Sequence, residues 1–447
     1  MRVPMLSTMQ TPLKCSGQTT DRPNSDVKER LCRYGETMSQ IKKVPEVLAP
    51  AGDRERLEAA VEYGADAVYL GSTMFGMRSA PANFNAVELA DACAYAHSKG
   101  VKVYLTCNTV PRNSEIAVLP QFIENVAEAG IDAFIVTDIG VLQAVKKYAP
   151  DADIHISTQA GITNYAAANE FYNMGANRIV TAREISLDEI AEIRAKTPKE
   201  LEIECFVHGA MCVSFSGRCL LSNYMTGRDS NRGDCAQPCR WKYALCEEKR
   251  PGQYFPIEDD PQGTYILNSR DMSMIEHIPE LYAAGVDSFK IEGRAKSAYY
   301  ATVAVNAYRA AVDGFVKSGF SPDYKPEDWI VDETYKISYR DYCTGFFFGD
   351  PADDANVTFR GYNREWSVAA TVLGCKDGYL FGSQRNRFFD GDVLEVMEKG
   401  KKPFDVKVEG LCNEEGERID SAPHPMMNFK FRCPVEISEG AYLRIKN

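Results

Sequence analysis

A chain of 447 residues is too long for one ordinary core, although an α/β barrel takes roughly 250 residues by itself, so two or three structural units are expected. Hydrophobic residues at 45% and charged residues at 26% exclude a disordered or fibrous chain, and no apolar run approaches the ~20 residues of a bilayer span. A net charge of −12 argues against non-specific nucleic-acid binding, which needs a basic face, so any RNA partner has to dock on a local patch.

Residues 1–43 are polar, carry Pro, Ser, Thr and Asn without a convincing period, and read as a loose extension in which Met38 is a second candidate start. The first thirty residues contain no apolar h-region, and the expectation is a cytoplasmic protein. There its 14 cysteines are reduced, and a local cluster among them reads as metal-binding or catalytic before it reads as a disulfide framework.

From Pro45 a β-branched run is followed by an amphipathic helix that ends at a glycine, after which the next strand opens. The punctuation recurs at Gly64, Gly100, Gly130, Gly175 and Gly285, where a helix C′ residue needs a left-handed backbone. Strands are predicted at 46–49, 67–70, 102–106, 133–137, 154–157, 178–181, 202–207, 265–268 and 288–291, one more than a barrel of eight requires. The first loop lacks the GxGxxG of an open doubly wound sheet, and the reading is an α/β fold, a (β/α)8 TIM-like barrel over 44–315. A helix over 297–312 leads into a linker at 316–363. Short alternating runs separated by DG, GD and EG turns then make 364–447 a small antiparallel β domain.

Barrel catalytic groups sit on the loops after strand C-termini. The loop after the seventh strand carries Cys212, Cys219, Cys235 and Cys239 in an insertion over 208–250, with Cys246 as a spare and Gly217, Gly227 and Gly233 interleaved. Four thiolates in one loop can close around a metal centre. The 6, 15 and 3 intervening residues leave structural zinc and an iron–sulfur cluster equally open. Cys93, Cys107, Cys375 and Cys433 lie singly in apolar runs and read as small buried hydrophobes.

The run ECFVHGAMCVSFSGRCLLS at 204–222 closely resembles the signature of the collagenase-like peptidase family U-thirty-two. The likeness continues through PEVLAPAG, STQAGITN, LNSRDM, KIEGRAKSAYY, GDCAQPCRW and YRDYCTGFFFG into the β domain, while the leader before Met38 departs from the family pattern. The resemblance implies a [4Fe-4S] cluster on Cys212, Cys219, Cys235 and Cys239 and oxygen-independent hydroxylation, most like the members that form 5-hydroxyuridine at the tRNA wobble position with prephenate. The partners it implies are the anticodon region of tRNA, a small dicarboxylate co-substrate and an auxiliary iron–sulfur or electron-transfer protein. The family's name asserts proteolysis instead, and a zinc-bound scaffold is the non-catalytic alternative.

Candidate acting residues follow from the strand ends. His208 precedes the cysteine loop and is able to donate to a cluster or a substrate oxygen. Gln159 and Asn164 are neutral donors and acceptors suited to a base edge or a carboxylate. Arg183 with Glu184, Arg270 with Asp271, and Lys290, Glu292 and Arg294 alternate in sign, as a carboxylate-binding fork requires or as mutual neutralisation across the barrel mouth demands. Over 208–250 seven basic residues stand against four acidic ones, a local surplus that suits phosphate. Tyr224 and Trp241 either stack an unpaired base or cap the loop's own core. Against proteolysis, the chain has no GxSxG or HExxH, and among the four clustered cysteines Cys212, with His208, is the one thiol close in sequence to an imidazole. GSTMFGMRS lacks the Lys-Ser/Thr of a phosphate loop, so no nucleotide cofactor is expected.

Overall fold

A computed structural model of the chain describes residues 43–77, 83–212, 214–241, 244–246, 254–256, 270–349 and 362–447. The expected extension, Lys43 apart, and the expected strand at 265–268 lie outside these residues.

The doubly apolar runs become strands β1 Glu46–Pro50, β2 Ala67–Gly71, β3 Lys102–Cys107, β4 Ala133–Val136, β5 Asp153–Ile156, β6 Arg178–Val180, β7 Glu202–Ala210 and β8 Ser288–Ile291. Each pairs in parallel with the next, and β8 pairs with both β7 and β1, so the sheet closes into an eight-stranded barrel. Helices between the strands start on side-chain caps such as Asp53, Asn85, Asp138 and Ser186. They end at the five punctuating glycines, all with positive φ. At Gly285, φ +84°, a Cβ would also lie 2.4 Å from Arg194 Cγ, so no other residue fits there.

The extra strand of the region is Asp271–Ser273, antiparallel to the end of β7, and Tyr342–Cys343 lies parallel to it. The described residues 316–349 of the segment expected as a linker therefore pack with the barrel unit. They supply this strand, a helix at Asp328–Glu333, and Phe347, whose carbonyl accepts from Leu187 N. A two-residue strand has no period to read. What holds it is Arg340, whose guanidinium meets the buried Asp271 carboxylate at 2.6 Å. The helix expected over 297–312 runs from Ala298 to Lys317.

Two cores result. A large one fills the space between barrel and helices, and a small one of Leu48, Ala67, Tyr69, Tyr104, Ala133 and Ile135 fills the barrel itself. Toward the N-terminal ends of the strands the barrel interior is ionic. Arg178 contacts Glu46 at 2.7 Å, Glu202 at 2.6 Å and Glu204 at 3.0 Å, and Glu204 accepts from Lys290 at 2.7 Å. Burial works against the Arg178 charge, but Glu46 and Glu204 outweigh it and hold its pKa well above the ordinary value. Burial, then Arg178, pushes the neighbouring His155 well below the usual imidazole range, and the ring rests on the edge of Tyr104.

Residues 366–446 form a curled antiparallel sheet. Its strands run in the spatial order Phe404–Lys407, Val393–Met397, Tyr442–Lys446, Trp366–Lys376, Tyr379–Gln384, Asn428–Arg432 and Glu409–Asn413. Leu380, Leu394, Phe429, Phe431 and Leu443 form much of its core. Arg444, without exposed surface, ties this domain to the barrel. It meets Glu395 of its own sheet at 2.6 Å and Glu333 of the barrel unit, which is equally buried. Tyr63, Tyr300, Val303, Ile337 and Met397 pack beside it across the junction. Among the described residues no helix is long and apolar enough to cross a membrane.

Removing one partner of a buried ion pair costs about 3–5 kcal/mol because the other charge is stranded. Glu333→Ala is expected to lower the thermal midpoint and to loosen the C-terminal domain first, as read by limited proteolysis. A midpoint equal to that of the parent protein would show that Arg444 does not depend on Glu333.

Candidate active site

The C-terminal ends of the barrel strands open on a cavity of about 130 Å³, roofed by the cysteine segment. Its walls come from Tyr69 on β2, Thr106 on β3, Ser157, Thr158 and Gln159 after β5, Arg183 after β6, Phe206 on β7, and Lys290, Glu292 and Arg294 on and after β8. Cys212, Cys219, Cys235 and Cys239 complete it. Of the candidates named from sequence, Gln159, Arg183, Lys290, Glu292, Arg294 and all four cysteines thus meet in one place. Sequence reading missed Tyr69, Thr106, Ser157 and Phe206, which a strict inward alternation along the strands would have marked.

Three cations and one carboxylate line this cavity. The Arg183 guanidinium lies 3.9 Å from the Phe206 ring centroid, donates to the Ala210 carbonyl at 3.3 Å and stands 3.7 Å from Glu292. Lys290 Nζ sits 4.5 Å from the Tyr69 ring centroid and donates to Glu204 below. Arg294 is buried and donates to Thr106 Oγ1 at 2.8 Å. β2 must end in glycine for this, because a Cβ at Gly71 would come within 2.4 Å of the Arg294 guanidinium. Gln159 is 6% exposed, and its Oε1 has no hydrogen-bond partner, as is true of Arg183 Nε. An unmet buried acceptor costs about 1–3 kcal/mol, and one that faces a cavity is placed for a donor brought by a ligand.

The remaining candidates lie elsewhere. Asn164 caps helix Tyr165–Met174, accepting from Ala167 N at 2.9 Å. Glu184 accepts from the Ser216 N–H at 2.6 Å and from its hydroxyl at 2.9 Å, pinning the cysteine segment where Ser216 takes a left-handed backbone with φ 46°. Arg270 is not among the cavity-lining residues. His208 is buried behind the rings of Tyr300, Tyr308 and Tyr342, at centroid distances of 6.0, 5.5 and 5.4 Å. A β-bulge between Lys290 and Ile291 bends the strand edge at this point. Burial, partly opposed by Asp271, holds the imidazole down to about 4.

The cysteine segment has little regular structure and is anchored by polar contacts. Arg218 Nε donates to the Gln159 carbonyl at 2.7 Å. Arg232 grips Glu115 through two bonds of 2.8 and 2.5 Å and thereby keeps that carboxylate down to about 2. The Ser230 hydroxyl and Asn231 Nδ2 both donate to the Cys219 carbonyl. Cys212, Cys219, Cys235 and Cys239 are half-buried and form no disulfide. Cys219 Sγ accepts from Leu221 N at 3.3 Å and Cys235 Sγ from Gln237 N at 3.4 Å. Backbone N–H groups aimed at sulfur are the surroundings of a cluster-bound thiolate; Cys219 and Cys235 have them, and Cys212 and Cys239 share the same cavity wall, a donor set that fits such a group. Among the described residues no group of three or more His, Cys, Asp or Glu side chains is placed to hold a metal ion; the four thiols border a shared cavity. Cys107 and Cys205, by contrast, are fully buried thiols pushed up to about 12. Tyr224 is 81% and Trp241 45% exposed, so neither caps a core of the segment.

Residues 52–356 match the model of Peptidase family U32, and residues 364–444 match the Peptidase family U32 C-terminal domain. The chain belongs to peptidase family U32. It is 35% identical to tRNA hydroxylation protein P1 of Bacillus subtilis over 414 residues, covering 90% of this chain and 95% of that one. It is 42% identical to an uncharacterized protease of Methanocaldococcus jannaschii over 308 residues, 68% and 73% of the two chains. A third relative, the 23S rRNA 5-hydroxycytidine synthase of Escherichia coli, is 34% identical over 361 residues, 79% of this chain and 52% of that one.

The depressed pKa of His208 carries a pH signature. Unfolded, the imidazole binds its proton near 6.5; folded, near 4. The stability of the neutral buried form is therefore complete above about 6.5 and lost as pH falls toward 4, by about 3 kcal/mol in all. The thermal midpoint is expected to drop between pH 7 and 4.5, and to drop less in His208→Phe, which keeps an aromatic ring among the tyrosines. Parallel pH profiles for the two proteins would contradict the assignment.

Proposed function

We propose that this U32 protein is an iron–sulfur enzyme that hydroxylates an RNA pyrimidine without dioxygen, with the wobble uridine of tRNA as its base and a prephenate-like dicarboxylate as co-substrate. The observation that carries the reading is the convergence of four thiols and three cations on one barrel-mouth cavity. The names of the Bacillus and Escherichia relatives support hydroxylation of RNA.

Cys212, Cys219, Cys235 and Cys239 would hold a [4Fe-4S] cluster, whose contribution is one-electron transfer beside the substrate. Arg183 and Arg294 offer guanidinium forks to the two carboxylates, and Lys290 adds a third positive charge fixed from beneath by Glu204. The neutral Gln159 Oε1 accepts a substrate hydroxyl or an exocyclic N–H. Tyr69 and Phe206 keep the cations in a low-dielectric wall, where their attraction for an anion is strongest. Tyr224, exposed on the helix whose first residues Leu221 and Ser222 line the cavity, is assigned to stack the unpaired base. Converting C5–H and one water to C5–OH releases two protons to solvent and two electrons, and the electron acceptor is assigned to the auxiliary electron-transfer partner.

Proteolysis finds less support in the geometry. Its one nearby base, His208, is enclosed by tyrosines and not among the cavity-lining residues, which leaves Cys212 without an activating imidazole.

The test is complementation of a bacterial strain that lacks tRNA wobble hydroxylation, followed by mass spectrometry of digested tRNA. The parent chain is expected to restore 5-hydroxyuridine; Cys235→Ala and Arg183→Met are expected to lose it at least a hundredfold while remaining folded. No hydroxylated pyrimidine from the parent chain, or full product from Cys235→Ala, would overturn the proposal.

A further inference from the structure

The C-terminal sheet turns one face to its own core and another to solvent. Phe429 and Phe431 point inward and are buried. Between and after them, Lys430 and Arg432 point outward, and on the neighbouring strand Tyr379 and Phe381 do the same around the buried Leu380. Strand register aligns these side chains in two rows. Lys376 stands opposite Tyr379, which stands opposite Arg432. Phe381 stands opposite Lys430 on one side and Gly374 on the other. Directly opposed residues of an antiparallel pair share a face, so three cations and two aromatic rings make one continuous patch.

Phe381 is 37% exposed. A Cβ at Gly374 would meet nothing within 4 Å, so open space flanks the ring. Lys430 Nζ lies 5.9 Å from the Tyr379 ring centroid. The carboxylate in register with the patch is Glu409, opposite Arg432, and it pairs with Lys407 at 3.0 Å. Lys430 Nζ lies 3.6 Å from where a Cβ at Gly416 would stand, so the turn carrying Glu414, Glu415 and Glu417 borders the patch, while its outward rows themselves hold three cations in a chain of net charge −12.

We propose that this face binds a single-stranded segment of RNA, with phosphates on Lys376, Lys430 and Arg432 and a base stacked on Phe381. Alternate residues along a strand are about 6.8 Å apart, close to the step between successive phosphates of an extended single strand. Aromatic rings on an open sheet surface flanked by cations are how sheets hold single-stranded nucleic acid. The choice of RNA as the polyanion rests on the proposed RNA-modifying function; the surface itself does not. The face gives an acidic enzyme a second grip on its substrate, remote from the base being modified.

The experiment uses the full chain and a fluorescein-labelled single-stranded RNA of about 12 nucleotides, with anisotropy titrations between about 50 and 200 mM KCl. The Lys376→Glu, Lys430→Glu, Arg432→Glu triple variant is expected to lose at least tenfold in affinity at low salt. Its log–log salt slope should be shallower by about 2, at about 0.7 per phosphate contact. Phe381→Ala is expected to lose about tenfold with the slope unchanged. All four positions are at the surface, and circular dichroism checks the fold. Titrations that superpose on the parent protein would overturn the proposal, as would a Phe381→Ala variant that binds RNA normally while the triple variant loses RNA and heparin equally. A parent chain that binds the oligonucleotide through this face yet hydroxylates no RNA would sink the functional reading and leave the face standing. Hydroxylation by the parent chain, with variants that bind as it does, would remove the face alone.

Discussion

Glu204 has no exposed surface and stands between Lys290 and Arg178. Much of the barrel is organised around that fact. A carboxylate sealed inside a barrel is tolerable only when paired and hydrogen-bonded, and the two cations that satisfy it come from β8 and β6, the strands on either side of β7. Arg178 in turn holds Glu46 of β1, which also accepts from Ser288 of β8 and Tyr104 of β3. One ionic network therefore ties together the strands that close the barrel. The same network fixes Lys290 at the floor of the mouth cavity with its charge already anchored from below. The polar interior and the site above it are parts of one arrangement.

Above that floor the design changes from ionic core to pinned loop. The cysteine segment buries little of its own apolar surface, with Phe215, Leu220, Tyr224, Met225 and Trp241 all exposed. Its position is set by contacts to barrel loops: Glu184 from the loop after β6, the Gln159 carbonyl from the loop after β5, and Glu115 from the short helix after β3. Such a segment gains order from whatever its thiols hold, since metal binding and local folding are the same free energy. Exposed aromatic side chains beside an opening are also what an unpaired nucleobase requires.

The barrel was legible because its signals repeat. Gly64, Gly100, Gly130, Gly175 and Gly285 mark helix ends by a backbone demand that only glycine meets cheaply, and the apolar runs after them are buried on both faces. That the four cysteines and the cations of the KIEGR loop would meet at one cavity was legible because strand-end position in a barrel predicts location. Position could not say which strand-end groups turn inward. Asn164 looks like a ligand and is a helix cap; Glu184 looks like an acid and is an anchor for Ser216; His208 looks like a base and is sealed among tyrosines by a bulge and by Tyr342. The partners that decide the His208 case, Tyr300, Tyr308 and Tyr342, lie far along the chain, and Tyr342 sits in the segment read as linker. Local patterns carry no trace of such long-range packing.

The central claim is that the four mouth cysteines hold an iron–sulfur cluster beside an anion-binding cavity. The most direct measurement is iron, acid-labile sulfide and zinc per chain in protein purified without oxygen, together with its visible absorption. The account expects iron and sulfide in near-equal amounts, close to four of each, with broad thiolate-to-iron absorption that Cys219→Ala abolishes. Zinc without sulfide, or a colourless protein after reconstitution with iron and sulfide, would contradict it.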